Sequence, residues 1–142
     1  MRKINWRRVV LGGLLAGVVA NVLLSAAWWL FLEKLGPVGG TTQPRPMTAV
    51  QLGYFIGPFF AGIVAVGLFA ALRPRYGPGL KTAARAGLIC WLVTGVVPFV
   101  IFFSAVLRFR VPPMEFWIGL ATYLMAIIVA TIAGAWVYKE QG

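Results

Sequence analysis

The chain has no histidine, a single cysteine and only three carboxylates, Glu33, Glu115 and Glu140. Each absence removes a class of chemistry. A metal centre needs clustered His, Cys or carboxylate ligands. General acid–base and nucleophilic catalysis draw on a titratable pair, and proton-coupled transport normally uses an Asp, Glu or His within the membrane. The expectation is a protein that is not an enzyme and holds no metal or cofactor. One cysteine cannot close an internal disulfide, and Cys90, inside an apolar stretch, reads as a small buried hydrophobe.

Charge is also missing from most of the chain. Four runs, Val9–Leu32, Val50–Leu72, Ala86–Leu107 and Phe116–Tyr138, contain no Asp, Glu, Lys or Arg and cover 92 of the 142 residues. Their lengths of 24, 23, 22 and 23 residues suffice to cross a hydrocarbon core of roughly 30 Å at about 1.5 Å per helical residue. Charged residues make up 11% of the chain, against about 25% in soluble domains. A soluble bundle would show a polar stripe on each helix, whereas the first run, apart from the indoles of Trp28 and Trp29 at its end, offers only Asn21 and Ser25 as hydrogen-bonding side chains. The expected fold is all-α: a single polytopic membrane domain over residues 1–142, with four transmembrane helices in an up-down bundle.

The basic start, Arg2, Lys3, Arg7 and Arg8 before an apolar stretch, resembles a secretory signal. Signal cores, however, run about 7–15 residues, and here Ser25-Ala26-Ala27 is followed by the still apolar Trp28–Leu32. The stretch reads as a retained anchor. The net charge of +10 does not imply nucleic acid, because the basic residues flank hydrophobic spans instead of covering one face of a folded domain.

The flanks are unequal. The N-terminal tail holds four basic residues, the segment from Arg73 to Arg85 four more (Arg73, Arg75, Lys81, Arg85), and the C-terminal tail Lys139. The other two loops hold only Lys34, Arg45, Arg108 and Arg110. Excess Lys/Arg marks the cytoplasmic side, so both termini and the 73–85 loop are expected there. Trp28, Trp29 and Trp117 would mark the outer interface, and Trp6, Trp136 and Tyr138 the inner one, since amphipathic rings favour that boundary. Trp91 lies inside its span and is expected to pack on another helix or lipid.

Small residues at four-residue spacing allow membrane helices to approach closely. The first span has Gly13 and Gly17 beside a row of Gly12, Ala16 and Ala20. The second has Gly53, Gly57, Ala61 and Ala65, and the fourth Thr122, Ala126, Ala130 and Gly134. Packing within the bundle is the first expectation for these rows, and a dimer face the second. Pro58 and Pro98 should kink or loosen spans two and three.

The polar groups within the spans are Asn21, Ser25, Gln51, Tyr54, Thr94, Ser104, Thr122, Tyr123 and Thr131. Asn21 is the most demanding, because an unpaired amide in hydrocarbon costs several kcal/mol. It lies one turn from Gly17 and Ser25, and an interhelical hydrogen bond to Thr94 or Thr131 is the structural expectation. The functional one is a solute contact formed by Asn21, Ser25, Thr94 and Thr131. Glu33 and Glu115 are expected to pair with Lys34 and Arg110 at the outer face, and Glu115, following Pro112-Pro113, suits the first turn of its helix.

The 73–85 loop is the most distinctive segment. Pro74 is expected to end the second helix, Gly77-Pro78-Gly79 to turn the chain, and Lys81–Arg85 to open the third helix. Arg73, Arg75, Lys81 and Arg85 would sit at the level of anionic lipid headgroups. Gly12-Gly13-Leu-Leu-Ala-Gly-Val-Val-Ala-Asn21, Arg73-Pro-Arg-Tyr-Gly-Pro-Gly79 with Lys81-Thr82-Ala83, and Gly134-Ala-Trp-Val-Tyr-Lys-Glu140 resemble a group of small bacterial inner-membrane proteins. That group has four predicted spans and no assigned activity. The resemblance covers most of the chain, its specific part is the loop motif, and it implies a bacterial inner-membrane placement. In the group a glutamate often follows the span-one asparagine, whereas this chain has Val22-Leu-Leu-Ser25, which counts against transport.

Two functions remain in view. One is a structural or accessory subunit that associates with a larger membrane complex or with itself. The other is a small channel or carrier for a neutral or anionic solute. Small four-span channels that insert in both orientations tend to balanced loop charge, and the bias of nine to four argues against that route.

Overall fold

The computed structural model describes residues 4–27, 29–30, 49–97 and 113–138; within these, the side chains of 49–51, 54 and 113–116 are not described. The elements are α1 (Trp6–Ala27), α2 (Ala49–Tyr76), α3 (Leu80–Trp91), which runs on through a π-helical turn at Leu92–Val96, and α4 (Pro113–Val137). The fold is all-α, with no strand among the described residues. Helices α1, α2 and α4 are long and apolar enough to cross a membrane. The expected third span is described to Val97; its remainder, with Pro98 and Ser104, lies outside the described residues. So do Trp28, Glu33, Lys34, Arg108, Arg110, Glu140 and the side chains of Gln51, Tyr54 and Glu115.

The helices overrun the apolar runs at several ends. Helix α1 starts at Trp6, three residues before the run, because Asn5 caps it: the Arg8 N–H points to Asn5 Oδ1 at 3.3 Å and the Val9 N–H to the Asn5 carbonyl at 3.0 Å. Helix α2 continues through Pro74 to Tyr76, so Pro74 does not end it. The stop is Gly77, whose φ of 78° lies in the left-handed region and whose N–H bonds the Arg73 carbonyl at 2.8 Å. Helix α3 then begins at Leu80, before Lys81 and Arg85. Charge marks where the membrane ends, and a helix can continue past that plane into the headgroup region.

Pairings along the helices fix the topology. Gly13 lies against Ile63, and Gly17 against Phe59. Gly12 lies against Gly134, and Arg8 Nη1 donates to the Val137 carbonyl at 3.3 Å. Cys90 reaches Ala61, and Trp91 reaches Leu120. Each consecutive pair is therefore antiparallel, and α4 closes antiparallel on α1, giving an up-down bundle. Helices α2 and α4 also meet across the diagonal, where Val66 packs on Gly134.

The core is built from small side chains. Val9, Ala16, Ala20, Val66, Ala70, Ala83, Ala86 and Ala130 are buried in one cluster, and Ala61, Ala65, Cys90 and Ile127 in a second. The close approach rests on glycine. A Cβ on Gly13 would lie 2.5 Å from Ile63 Cα, one on Gly17 2.7 Å from Phe59 Cα, and one on Gly134 2.5 Å from the Gly12 carbonyl oxygen. The expected rows on α1 and α4 thus both face helices. On α2, Ala61 and Ala65 are buried but Gly53 and Gly57 are exposed. The glycine of α2 that meets α1 is Gly62, against Gly13 and Gly17, which belongs to a different row.

The outer surface is apolar. Only 33%, 39% and 28% of the spanning windows of α1, α2 and α4 are buried inside the bundle, so most of each apolar helix faces outward. Leu11, Val18, Phe60, Val64, Met125 and Trp136 are among the exposed side chains. Water does not tolerate so large an apolar patch; a bilayer does.

Candidate functional site

Two polar groupings lie among the helices, and a third feature lies at the basic end, where the start of α1, the α2–α3 turn and the end of α4 come together. In the first grouping, Asn21 Nδ2 donates to the Gly17 carbonyl at 3.0 Å and to the Phe55 carbonyl of α2 at 3.2 Å. Pro58, three residues beyond Phe55, has no N–H to add to the ladder of this part of α2. The bond is interhelical, as expected, but the partner is a backbone carbonyl and not Thr94 or Thr131. Those two lie on α3 and α4, and α1 and α3 occupy opposite corners. Ser25, one turn beyond Asn21, is exposed and does not share its environment.

The second grouping joins α3 and α4. The Thr94 hydroxyl donates to the Cys90 carbonyl at 2.8 Å and lies 3.0 Å from the Tyr123 hydroxyl. Cys90 Sγ contacts the Ala61 carbonyl at 3.3 Å, and Trp91 Nε1 donates to the Leu120 carbonyl at 3.2 Å. Trp91 therefore packs on another helix, as its position within the span suggests. The π-helical turn falls here: the Val97 N–H reaches back five residues to the Leu92 carbonyl. Thr131 is separate; its hydroxyl bonds the Ile127 carbonyl of its own helix at 2.6 Å and packs beside Gly87 of α3. The four proposed solute contacts thus fall in four separate places.

At the basic end the four loop cations also divide. The Arg73 guanidinium lies 5.7 Å from the Tyr138 ring centroid on the α4 side. Tyr138 is only 4% exposed and stands edge-to-face with Phe69, ring centroids 6.1 Å apart. It is a closing residue of the core, unlike Trp6 and Trp136, which are exposed. Arg85 sits 4.9 Å over the Tyr76 ring, in a groove formed with Leu72, Leu88 and Ile89. Lys81 precedes Arg85 by one turn, and Lys81 and Arg75 are exposed.

A hollow of about 280 Å³ lies between α2, α3 and α4 beside Arg73, walled by Phe69, Ala83, Ile132, Ala135 and Tyr138. Thr82 secures its rim: the buried hydroxyl donates to the Gly77 carbonyl at 2.9 Å and lies 3.4 Å from that of Tyr76. Charge and hydropathy patterning give Thr82 no role. Its signal was available, as a threonine in the first turn of a helix can bond back into the preceding turn.

No group of three His, Cys, Asp or Glu side chains that could hold a metal occurs among the described residues. Compared with protein-family models, curated proteins and solved structures, the chain matches none.

Proposed function

We propose that the chain is a small structural or accessory subunit of a bacterial inner membrane, with both termini cytoplasmic, which associates with a larger membrane complex or with itself. The supporting observation is the closed centre of the bundle. Gly12 on Gly134, Gly13 on Ile63 and Gly62 on Gly13 bring backbones into direct contact. Three of the four polar side chains proposed for a solute are already engaged: Asn21 by two carbonyls, Thr94 by Cys90 and Tyr123, and Thr131 by Ile127. A bundle with these polar groups internally paired and its apolar surface outward offers that surface to other helices.

Two measurements on the full chain test this. Purified in mild detergent, it should bring down one constant membrane partner or run as a defined oligomer. Reconstituted, it should pass neutral and anionic solutes no faster than protein-free liposomes. Flux that Asn21→Leu abolishes would overturn the proposal in favour of a channel.

A further inference from the structure

We infer that the hollow beside Arg73 is a binding site for one anionic phospholipid of the cytoplasmic leaflet, its phosphate held at Arg73 and the first methylenes of its chains lying on Ile132 and Ala135. The inference takes from the proposed function only the membrane placement of the bundle and not the accessory role.

The site has two ends of different chemistry. Its walls, Phe69, Ala83, Ile132 and Ala135, are apolar. Its mouth is flanked by Leu80 and Trp136, which are 62% and 80% exposed, so it opens toward the surrounding lipid between α3 and α4. Its polar end holds the Arg73 guanidinium, positioned against the Tyr138 ring, and Gly79, where α3 begins without a side-chain cap. An amphiphile with an anionic head fits this sequence of surfaces. A volume of about 280 Å³ is near the lower limit of ligand pockets, about 300 Å³. It suits a headgroup and the start of the chains, with the rest of the lipid in the bilayer.

Charge selects the sign of the head. Among the described residues, the basic end carries Arg7, Arg8, Arg73, Arg75, Lys81 and Arg85 and no carboxylate. Glu140, two residues past Tyr138, lies outside the described residues. Basic pockets between membrane helices on the cytoplasmic side are a recognised setting for anionic headgroups. A guanidinium adds paired N–H donors that match phosphate oxygens. The Arg85 groove is a natural control: it has a cation on a ring but is built from α2 and α3 alone.

The test uses the full chain in nanodiscs of phosphatidylcholine with a minority of phosphatidylglycerol, followed by native mass spectrometry through graded delipidation. One phosphatidylglycerol per chain should be retained preferentially, and Arg73→Gln should weaken retention about tenfold, the scale of one charge-assisted contact. Gly79→Glu tests the same site without touching Arg73. The backbone there is extended, φ 167° and ψ 172°, and an added Cβ meets nothing within 4 Å. Its carboxylate should expel the lipid, whereas Arg85→Gln and Glu140→Gln should retain it. A helical, inserted chain with no preference for phosphatidylglycerol would overturn the inference while leaving the membrane reading intact. Equal loss with Arg85→Gln would reduce the site to general surface charge and overturn it. So would displacement of the lipid by millimolar inorganic phosphate, which would identify a free-phosphate site. A chain that fails to insert would overturn the membrane reading itself.

Discussion

Asn21 shows how a single polar residue is accommodated in a nearly apolar helix. Its amide has two N–H donors, and both directions are used, one by the Gly17 carbonyl and one by the Phe55 carbonyl. The sequence made the need for a partner legible, since an amide in hydrocarbon must be satisfied. It did not reveal which partner, because side-chain acceptors can be counted from a sequence while backbone carbonyls are everywhere. Interhelical side-chain bonds in membranes contribute about 0.6 kcal/mol on average and up to about 1.7. Asn21→Leu should therefore lower bundle stability by about 1 kcal/mol, measured by equilibrium unfolding in mixed micelles, and leave the helical circular dichroism unchanged. Loss of the folded state would show that the amide does more than bridge α1 and α2. Pro74 makes a related point. Proline is a strong helix breaker in the interior, yet it sits in the last turn of α2, and the chain turns at Gly77, whose φ of 78° lies in the left-handed region.

Among the elements, packing depends on which row of small residues faces a neighbour. The α1 rows were legible because Gly12, Gly13, Ala16, Gly17 and Ala20 fill two adjacent stripes, and the structure places one on α4 and the other on α2. On α2 the four-residue spacing points to the row Gly53, Gly57, Ala61 and Ala65 and passes over Gly62. Phe59, Ile63 and Val66 of α2, at helical spacing, meet α1 and α4, but in a helix apolar on every side no polar contrast marks that face. A Cβ on Gly62 would meet the Gly13 carbonyl oxygen and lie 2.8 Å from the Gly17 nitrogen, whereas one on Gly67 would meet only Val9 Cγ1 at an ordinary 3.8 Å. Gly62→Ala must push two backbones apart and should cost about 1–3 kcal/mol. Gly67→Ala should change stability by no more than about 0.5 kcal/mol. The same unfolding titration compares them, and equal costs would mean that the α1–α2 contact is looser than described. Helix ends were less legible than spans for a separate reason: Lys81, Arg85, Arg73 and Arg75 stop an apolar run but favour or tolerate helix, so α2 and α3 continue into the basic segment.

For the whole molecule, the distribution of charge becomes a statement about direction. The up-down arrangement puts the start of α1, the Tyr76–Leu80 turn and the end of α4 at one end, tied by the Arg8–Val137 hydrogen bond and the Arg73–Tyr138 contact. Among the described residues, Arg7, Arg8, Arg73, Arg75, Lys81 and Arg85 belong to the segments that meet there. Positive charge resists translocation out of the cytoplasm, so one orientation should dominate over its inverse. Arg75 is exposed at this end, while the native Cys90 is wholly buried, which allows a thiol probe with a silent background. In intact cells Arg75→Cys should resist a membrane-impermeant maleimide and become labelled only after the membrane is opened. Inside-out vesicles should label it directly, and the unsubstituted chain should stay unlabelled in both preparations. Labelling from outside would reverse the topology and move the Arg73 hollow to the opposite leaflet. Labelling of about half the chains in each preparation would indicate insertion both ways, and with it the antiparallel assembly that a loop-charge ratio of nine to four disfavours.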